Sequence, residues 1–409
     1  MPGTRVAYIL LWFPEPSQTF ILNEVNTLVQ LGLDLKVYTL YGPRPASRLR
    51  GTVKVLVPVH HLGIATLPIL ISELMRLSIS RGLEVVSFIL GVAVRRWRSL
   101  ETAGEALWAL WTGLHLARVM AADGIGHIHA PWANGPATSA WVASMLSGIP
   151  FSFSGRAHDL FPPDGALEEK MRAATFIRTN TQINQSYLTG LFPHLAGKVV
   201  NIYNGISMAP STKQRPTARP PYQLLALGRF VPKKGFPILI EACRLLADQG
   251  LDFQLTLAGD GPERGRIRNL IERQGLSGRV SLAGWVPYHE VALLMEQTDL
   301  VIVPSVIAPS GDRDGIPNVI LEALLCEVPV VASAVSGIPE VVKEGNTGWP
   351  VDQVNPESLA QAVVKALADP EEAKRRAKQG RELVIREFDS MKNYKKLKNL
   401  LEGFQKSKT

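Results

Sequence analysis

Cysteine is scarce: among 409 residues only Cys243 and Cys326 occur. No Cys spacing suits a metal, and both residues sit in apolar helical contexts, which predicts buried thiols rather than a disulfide, in a reducing compartment. Long hydrophobic runs are missing too. A spanning helix needs about 20 apolar residues. The nearest candidate, "VVSFILGVAV" (85–94), is too short and runs into "RRWR". The opening "MPGTRVAYILLWFPEP" has no small-residue cleavage site after its apolar run, so it reads as a first buried strand and not as a leader. No internal repeat is present. What remains is 46% hydrophobic and 20% charged, an ordinary globular balance with sizeable cores. At about 100–200 residues per domain, the length suggests two domains.

The net charge of +8 is uneven. Residues 41–100 hold Arg44, Arg48, Arg50, Lys54, Arg76, Arg81, Arg95, Arg96 and Arg98 against Glu73 and Glu84. The segment is also rich in Leu, Ile and Val and includes Trp97. Basic and apolar character together predict contact with an anionic membrane surface, with a solvated helical face as the plainer reading. No nucleic-acid motif accompanies the charge, so no nucleic-acid partner is expected.

Short apolar strands alternate with helix-length segments twice over. "RVAYILLWF", "LDLKVYTLY", "HIHAPW", "PFSFSGR", "TFIRTN" and "VVNIYNG" come first; "YQLLALGRF", "FQLTLAG", "RVSLAGWV", "LVIVPS", "VPVVAS" and "GWPVD" follow. Continuous Val/Ile/Leu strands between helices argue for parallel sheets covered on both faces, hence two doubly wound α/β domains. The Pro-, Ser-, Thr- and basic-rich stretch 207–221 reads as a linker between domains 1–206 and 222–385. Residues 386–409 form a tail whose "MKNYKKLKNLLEGF" places Met391, Tyr394, Leu397, Leu400, Leu401 and Phe404 on one helical face. Ligands in such domains sit at the carboxyl ends of the strands, and a cleft between two domains is the default site.

"SGDRDGIPNVILEALLCEVPVVAS" (310–333) runs from a polar loop into a helix expected to start at Pro317, where no N–H is needed. A helix start offers unpaired N–H groups and a positive dipole end, which suit phosphate. Glu322 inside the helix could accept both hydroxyls of a ribose, and Asp314 in the loop the hydroxyls of a sugar beyond the phosphates. The ligand this arrangement fits is a nucleoside diphosphate sugar. The alternative makes Asp314 a turn residue and Glu322 a solvated helix residue. "LALGRFVPKKGF" adds Arg229, Lys233 and Lys234 after a strand, cations that suit a departing pyrophosphate. Lys233 also reads as a surface lysine capping its loop.

"GRF-VPKKG", "AGDGPER", "GWVPYHEV", "DGIPNVILEAL", "VPVVAS" and "SGIPEVV" follow one another as in retaining glycosyltransferases of family 4, which this chain resembles over most of 222–345. The resemblance implies a GT-B fold, with two Rossmann-like domains facing across a cleft and a C-terminal helix crossing back to the first. It implies that Arg229 and Lys234 hold the donor pyrophosphate and stabilise the leaving nucleotide. Asp314 and Glu322 look like the ends of the family's E-x7-E motif, with Asp in place of the usual first Glu. Gly315, Ile316, Pro317 and Asn318 would offer backbone to sugar and phosphate, and Val286 would meet the base. "GDGPERG" (259–265) imitates a dinucleotide fingerprint, but its spacing is wrong and no acid ends the next strand. "DRD" (312–314) matches a metal-binding D-x-D string. With Arg229 and Lys234 supplying charge, no metal and no cofactor beyond the donor is expected.

In the first half, "FPEPSQTFILNEVNTLVQLG" lacks the glycine-rich loop many family members carry here. It resembles instead an exopolysaccharide subgroup of the colanic-acid type, as do "HIHAPWANGPAT" and "FSFSGRAHDLF". Ser17 is expected to cap the first helix, and with Thr19, Glu24, His129 and Asp159 it makes up the candidate acceptor side, Glu24 lying on either a cleft side or a solvated face. His158 and Asp159 follow a strand and could orient a donor hydroxyl or assist at the reacting centre. His129 is a weaker candidate. The resulting expectation is a retaining, metal-independent glycosyltransferase acting on a lipid-linked saccharide, cytoplasmic and peripheral at the inner membrane face. A GT-B-fold sugar-nucleotide epimerase and a non-catalytic nucleotide-sugar-binding partner subunit stay open.

Overall fold

The computed structural model describes residues 4–15, 18–43, 54–63, 66–68, 71–72, 75–76, 100–161, 166–208, 217–352 and 354–403. The chain divides into two compact units, Met1–Gly205 with Ser390–Thr409, and Ile206–Asp389.

The first unit is built on β1 (Val6–Leu10), β2 (Leu35–Thr39), β3 (Val59–His61), β4 (His127–Ala130), β5 (Phe151–Gly155), β6 (Ile177–Thr179) and β7 (Val199–Asn201). They form a seven-stranded sheet in the order β3-β2-β1-β4-β5-β6-β7, with every pairing parallel. All five residues of β1 are buried because helices cover both faces, which is why its sequence is apolar without alternation. Strand β3 was not expected. It is three half-buried residues at the sheet edge, behind Pro58 and with two histidines, so it carries no apolar run to announce it.

The Ser390–Gly403 helix belongs to this unit, where Tyr394, Leu397 and Leu401 share a core with Ile21, Val25 and Leu28 of the Thr19–Gln30 helix. Met391, expected on the packed face, is exposed, and Asn393 is buried in its stead. Phe404 lies outside the described residues. At Gly205 the chain presses against this helix so closely that a Cβ would lie 2.2 Å from Ser390 Cα. The Gly205 N–H donates to the Tyr394 hydroxyl at 3.0 Å.

The second unit holds β8 (Tyr222–Leu227), β9 (Phe253–Ala258), β10 (Val280–Gly284), β11 (Leu300–Val303), β12 (Val330–Ser333) and β13 (Trp349–Val351). Their order is β10-β9-β8-β11-β12-β13, again parallel throughout. Both cysteines are buried thiols outside any disulfide, and burial pushes the Cys243 thiol up to about 12. In each sheet the strand order reverses once, between β1 and β4 and between β8 and β11. Such a reversal is the place where ligands bind doubly wound sheets. No helix among the described residues is long and apolar enough to cross a membrane.

Candidate functional site

In the second unit the β8 and β11 loops bring the predicted cations and carboxylates together. After β8 the chain makes a short turn over Pro232–Lys234 and enters the Phe236–Asp248 helix at Gly235. Gly235 sits at φ +65°, and a Cβ there would lie 1.9 Å from the Pro304 carbonyl oxygen. Only glycine lets the two loops meet this closely. The Val306 N–H donates to the Lys233 carbonyl at 2.8 Å, tying the loops edge to edge. The glycines of "GDGPERG" do a related job. A Cβ at Gly259, φ +133°, would lie 2.0 Å from the Gly228 carbonyl oxygen, and the Phe230 N–H donates to the Asp260 carbonyl at 2.9 Å. That loop therefore braces the backbone on either side of Arg229, which accounts for its glycines without a dinucleotide.

On this support Lys234 donates to Asp314 at 2.8 Å, and the Ser305 hydroxyl donates to the same carboxylate at 2.8 Å. Lys233 lies 3.0 Å from Asp312 and 3.8 Å from Asp314. Burial alone would raise the Asp314 pKa, but Lys234 and Lys233 beside it hold it below the ordinary carboxylate range. Both carboxylates of the "DRD" string thus face ammonium groups. Arg229 is exposed, and its guanidinium has no ion pair among the described residues.

The helix predicted from Pro317 spans Asn318–Leu325, with Pro317 as its cap, one residue later than expected. Pro317 has an extended ψ of 129°, so it cannot be the first helical residue, and no side chain caps the helix. Gly315, Ile316 and Asn318 are half-buried around this start. Glu322 is not a solvated helix residue: it is 4% exposed. Burial pushes its pKa up to about 7, with Lys234 pulling the other way. A carboxylate so placed, without an ion pair among the described residues, is a hydrogen-bonding group in need of a partner. Val286 lies in the loop after β10, half-buried, next to Trp285, which is 51% exposed.

The first unit contains a second charged group that the sequence reading found only in part. Glu24 is fully buried, not on a solvated face. Its carboxylate accepts from Arg178 and, at 3.0 Å, from Arg156, while the Tyr8 hydroxyl donates to its other oxygen at 3.2 Å. Arg156 also donates to Asn204 Oδ1 at 2.6 Å and to the Pro131 carbonyl at 3.0 Å, and it lies over the rings of Phe20 and Trp132. Arg178 donates to the Ile202 carbonyl at 2.9 Å and faces the Tyr394 ring. Burial by itself would raise the Glu24 pKa, but the two guanidinium groups outweigh it and lower the pKa to about 2. Arg178 was legible as an oddity, a charge inside the apolar strand "TFIRTN", which a buried partner must compensate.

The remaining candidates separate. Asp159 is buried and accepts from the backbone N–H groups of Ala133, at 2.6 Å, and Arg156, at 2.9 Å, so its carboxylate shapes the loop after β5. His158 beside it is exposed. His129 is buried against Ser152 and Ser154, at 2.8 and 3.1 Å, and burial keeps it neutral by lowering its pKa well below the ordinary value. It is a core residue of the sheet. Thr19 opens the first helix and is half-buried, Gln18 stands at the cap without a side-chain bond, and Ser17 lies outside the described residues.

Comparison with known proteins adds three findings. Residues 210–383 match the family described as Glycosyl transferases group 1. The putative colanic acid biosynthesis glycosyltransferase WcaL of Escherichia coli (strain K12) is 36% identical over 192 residues, 46% of this chain and 47% of that protein. The amylovoran biosynthesis glycosyltransferase AmsK of Erwinia amylovora is 31% identical over 190 residues, 46% of this chain and 47% of that protein. The chain thus spans about half the length of the curated relatives it matches. Among solved structures, HepE of Anabaena in complex with UDP and glucose aligns over 100% of both chains with a TM-score of 0.69 at 18% identity. Sucrose-phosphate synthase of Thermosynechococcus elongatus gives 0.72 at 19%, covering 98% of this chain and 100% of that one. At those identities the likeness is one of fold.

Proposed function

We propose that this GT-B-fold chain, whose residues 210–383 match the group 1 glycosyl transferases, moves a sugar from a nucleoside diphosphate donor to a hydroxyl of a lipid-linked saccharide. The pathway is exopolysaccharide or cell-surface polysaccharide biosynthesis. One observation carries the reading. Lys234, Asp314 and the buried Glu322 gather beside the uncapped start of a helix where the strand order of the sheet reverses. That is a site for a diphosphate flanked by two sets of hydroxyls. The UDP and glucose bound by HepE support the donor class, and the colanic-acid and amylovoran relatives support the pathway.

In this reading Glu322 takes the ribose hydroxyls, and Asp314 with the backbone of 315–318 takes the donor sugar. Arg229 and Lys234 stabilise charge on the leaving diphosphate as the glycosidic bond breaks. The acceptor attacks from the face the diphosphate leaves, so the configuration at the anomeric carbon is retained, and the departing phosphate takes the acceptor's proton. His158 is exposed beyond β5 in the first unit. The cations do the charge work, so no metal is required. The protein works at the cytoplasmic face of the membrane: Leu67, Ile71 and Met75 recur every fourth residue, all exposed, in the basic 41–100 segment. Arg44, Arg48, Arg50, Arg81, Arg95, Arg96 and Arg98 of that segment lie outside the described residues.

The test is nucleotide release from UDP-, GDP- and ADP-sugars, with and without a bacterial lipid extract and with EDTA. Release that needs one donor and the lipid, and that survives EDTA, is expected. Donor turnover without any acceptor would point to an epimerase, and binding without turnover to a non-catalytic subunit. Charge reversal at Arg95, Arg96 and Arg98 should lower binding to anionic vesicles; unchanged binding would remove the membrane surface from the scheme.

A further inference from the structure

The sequence offers Lys233 both as a cation for a pyrophosphate and as a surface lysine, and the structure half-buries it. Its side chain is only 16% exposed, the same as that of Lys234. Its backbone is fixed by the bond from the Val306 N–H and by the close approach at Gly235. Two lysines consecutive in the chain therefore point their ammonium groups into one place, where the β8 and β11 loops meet. Each is met there by an acid of the β11 loop, Asp312 for Lys233 and Asp314 for Lys234.

The two acids are held differently. Asp314 is 12% exposed and is anchored by Ser305, itself fully buried. Asp312 is 27% exposed and sits at the end of a small loop closed on itself, the Ala308 N–H donating to the Asp312 carbonyl and the Gly311 N–H to the Ala308 carbonyl. Two ammonium groups against two carboxylates leave the lysines with no net charge to offer a dianion. A phosphate that is to use Lys233 must take the position its partner holds. Lys233 keeps Asp314 at 3.8 Å as a second acid, and its ion pair to Asp312, partly open to water, is readily exchanged for a phosphate of higher charge.

We propose that Lys233 is a second diphosphate-binding lysine and that Asp312 is its built-in competitor, occupying in the free protein the position a phosphate oxygen takes when the donor seats. Asp312 then sets donor affinity without touching the donor, and it lets a weakly held diphosphate depart after transfer by returning to Lys233. The inference rests on the donor-site reading above.

The experiment is calorimetric binding of inorganic pyrophosphate and of UDP, GDP and ADP to the full chain and three variants: Asp312→Asn, Lys233→Met and the double variant. Asp312→Asn should bind the best of these probes about threefold to fivefold tighter, the range one half-exposed ion pair spans. Lys233→Met should bind more weakly, and Asp312→Asn should bring no gain in the Lys233→Met background. Unchanged or weaker binding by Asp312→Asn, or an equal gain with and without Lys233, overturns the proposal. If wild type binds no probe at all, and Asp312→Asn binds none either, the donor site itself is refuted along with it. Circular dichroism of each variant separates these outcomes from misfolding.

Discussion

The two units each hold acids and bases in contact, and the two clusters are opposites. Around Glu24 in the first unit, Arg156 and Arg178 are buried at 3% and 0% exposure, and their nitrogens are spent on carboxylate, amide and carbonyl oxygens. Around Asp314 in the second unit, the lysines are partly exposed and meet only carboxylates of one loop, Arg229 stands without an ion pair among the described residues, and Glu322 is buried without one. The first cluster is complete as it stands. The second leaves Arg229 and Glu322 without an ion pair among the described residues. Guanidinium groups with planar, multiple donors suit the first task, and ammonium groups that exchange partners suit the second. Partner satisfaction, rather than charge or burial alone, separates architecture from chemistry here.

That contrast can be broken most forcefully at Glu24. Glu24→Ala leaves two buried guanidinium groups without their carboxylate and should cost about 3–5 kcal/mol of stability in denaturant titration. Its pH signature is defined as well. The folded pKa near 2 lies below the ordinary 4.5, so the stability Glu24 contributes is full above pH 4.5 and is lost as pH falls toward 2. A loss under about 1 kcal/mol would deny the cluster its structural role.

The next largest effect belongs to Glu322, with the opposite sign. Its folded pKa is raised to about 7, so folding favours the protonated form, and stability declines as pH rises from 4.5 through 7. Glu322→Gln removes that slope and should make the protein more stable at pH 8, by up to about 3 kcal/mol. It should also lower nucleotide release about a hundredfold, the scale of two lost charge-assisted hydrogen bonds. A variant that loses both stability and activity would place Glu322 in the architecture.

Arg229→Ala should show the smallest change in the fold, within about 0.5 kcal/mol as for an exposed side chain without partners. The same substitution should weaken nucleoside diphosphate binding about tenfold, the scale of one charge-assisted phosphate contact. Normal affinity would remove Arg229 from the donor site.

The fold was readable to the extent that its strands are apolar. All the strands expected from continuous Val/Ile/Leu runs are present, and β3, which has no such run, escaped notice. The placement of Asp314 and Glu322 was readable because both lie at one loop and helix start, where spacing translates into geometry, whereas Lys234 meets Asp314 from 80 residues away. The partners of Glu24 were not, because Arg156, just after β5, and Arg178, in β6, lie 132 and 154 residues away. Spacing along the chain carries no information about such a meeting. The burial of Lys233 was not readable for a related reason: it depends on how closely Gly235 lets another loop approach, and no local pattern reveals it.

The Ser390–Gly403 helix closes the core of a unit whose other parts end at Gly205. The whole of 206–389 is therefore an insertion into that unit, and synthesis imposes an order. A nascent chain that has reached residue 389 possesses every strand of its second unit, while its first unit still lacks Tyr394, Leu397 and Leu401 over Ile21 and Leu28. The part made first is the part finished last, and until then it presents an apolar seam to whatever waits at the ribosome exit.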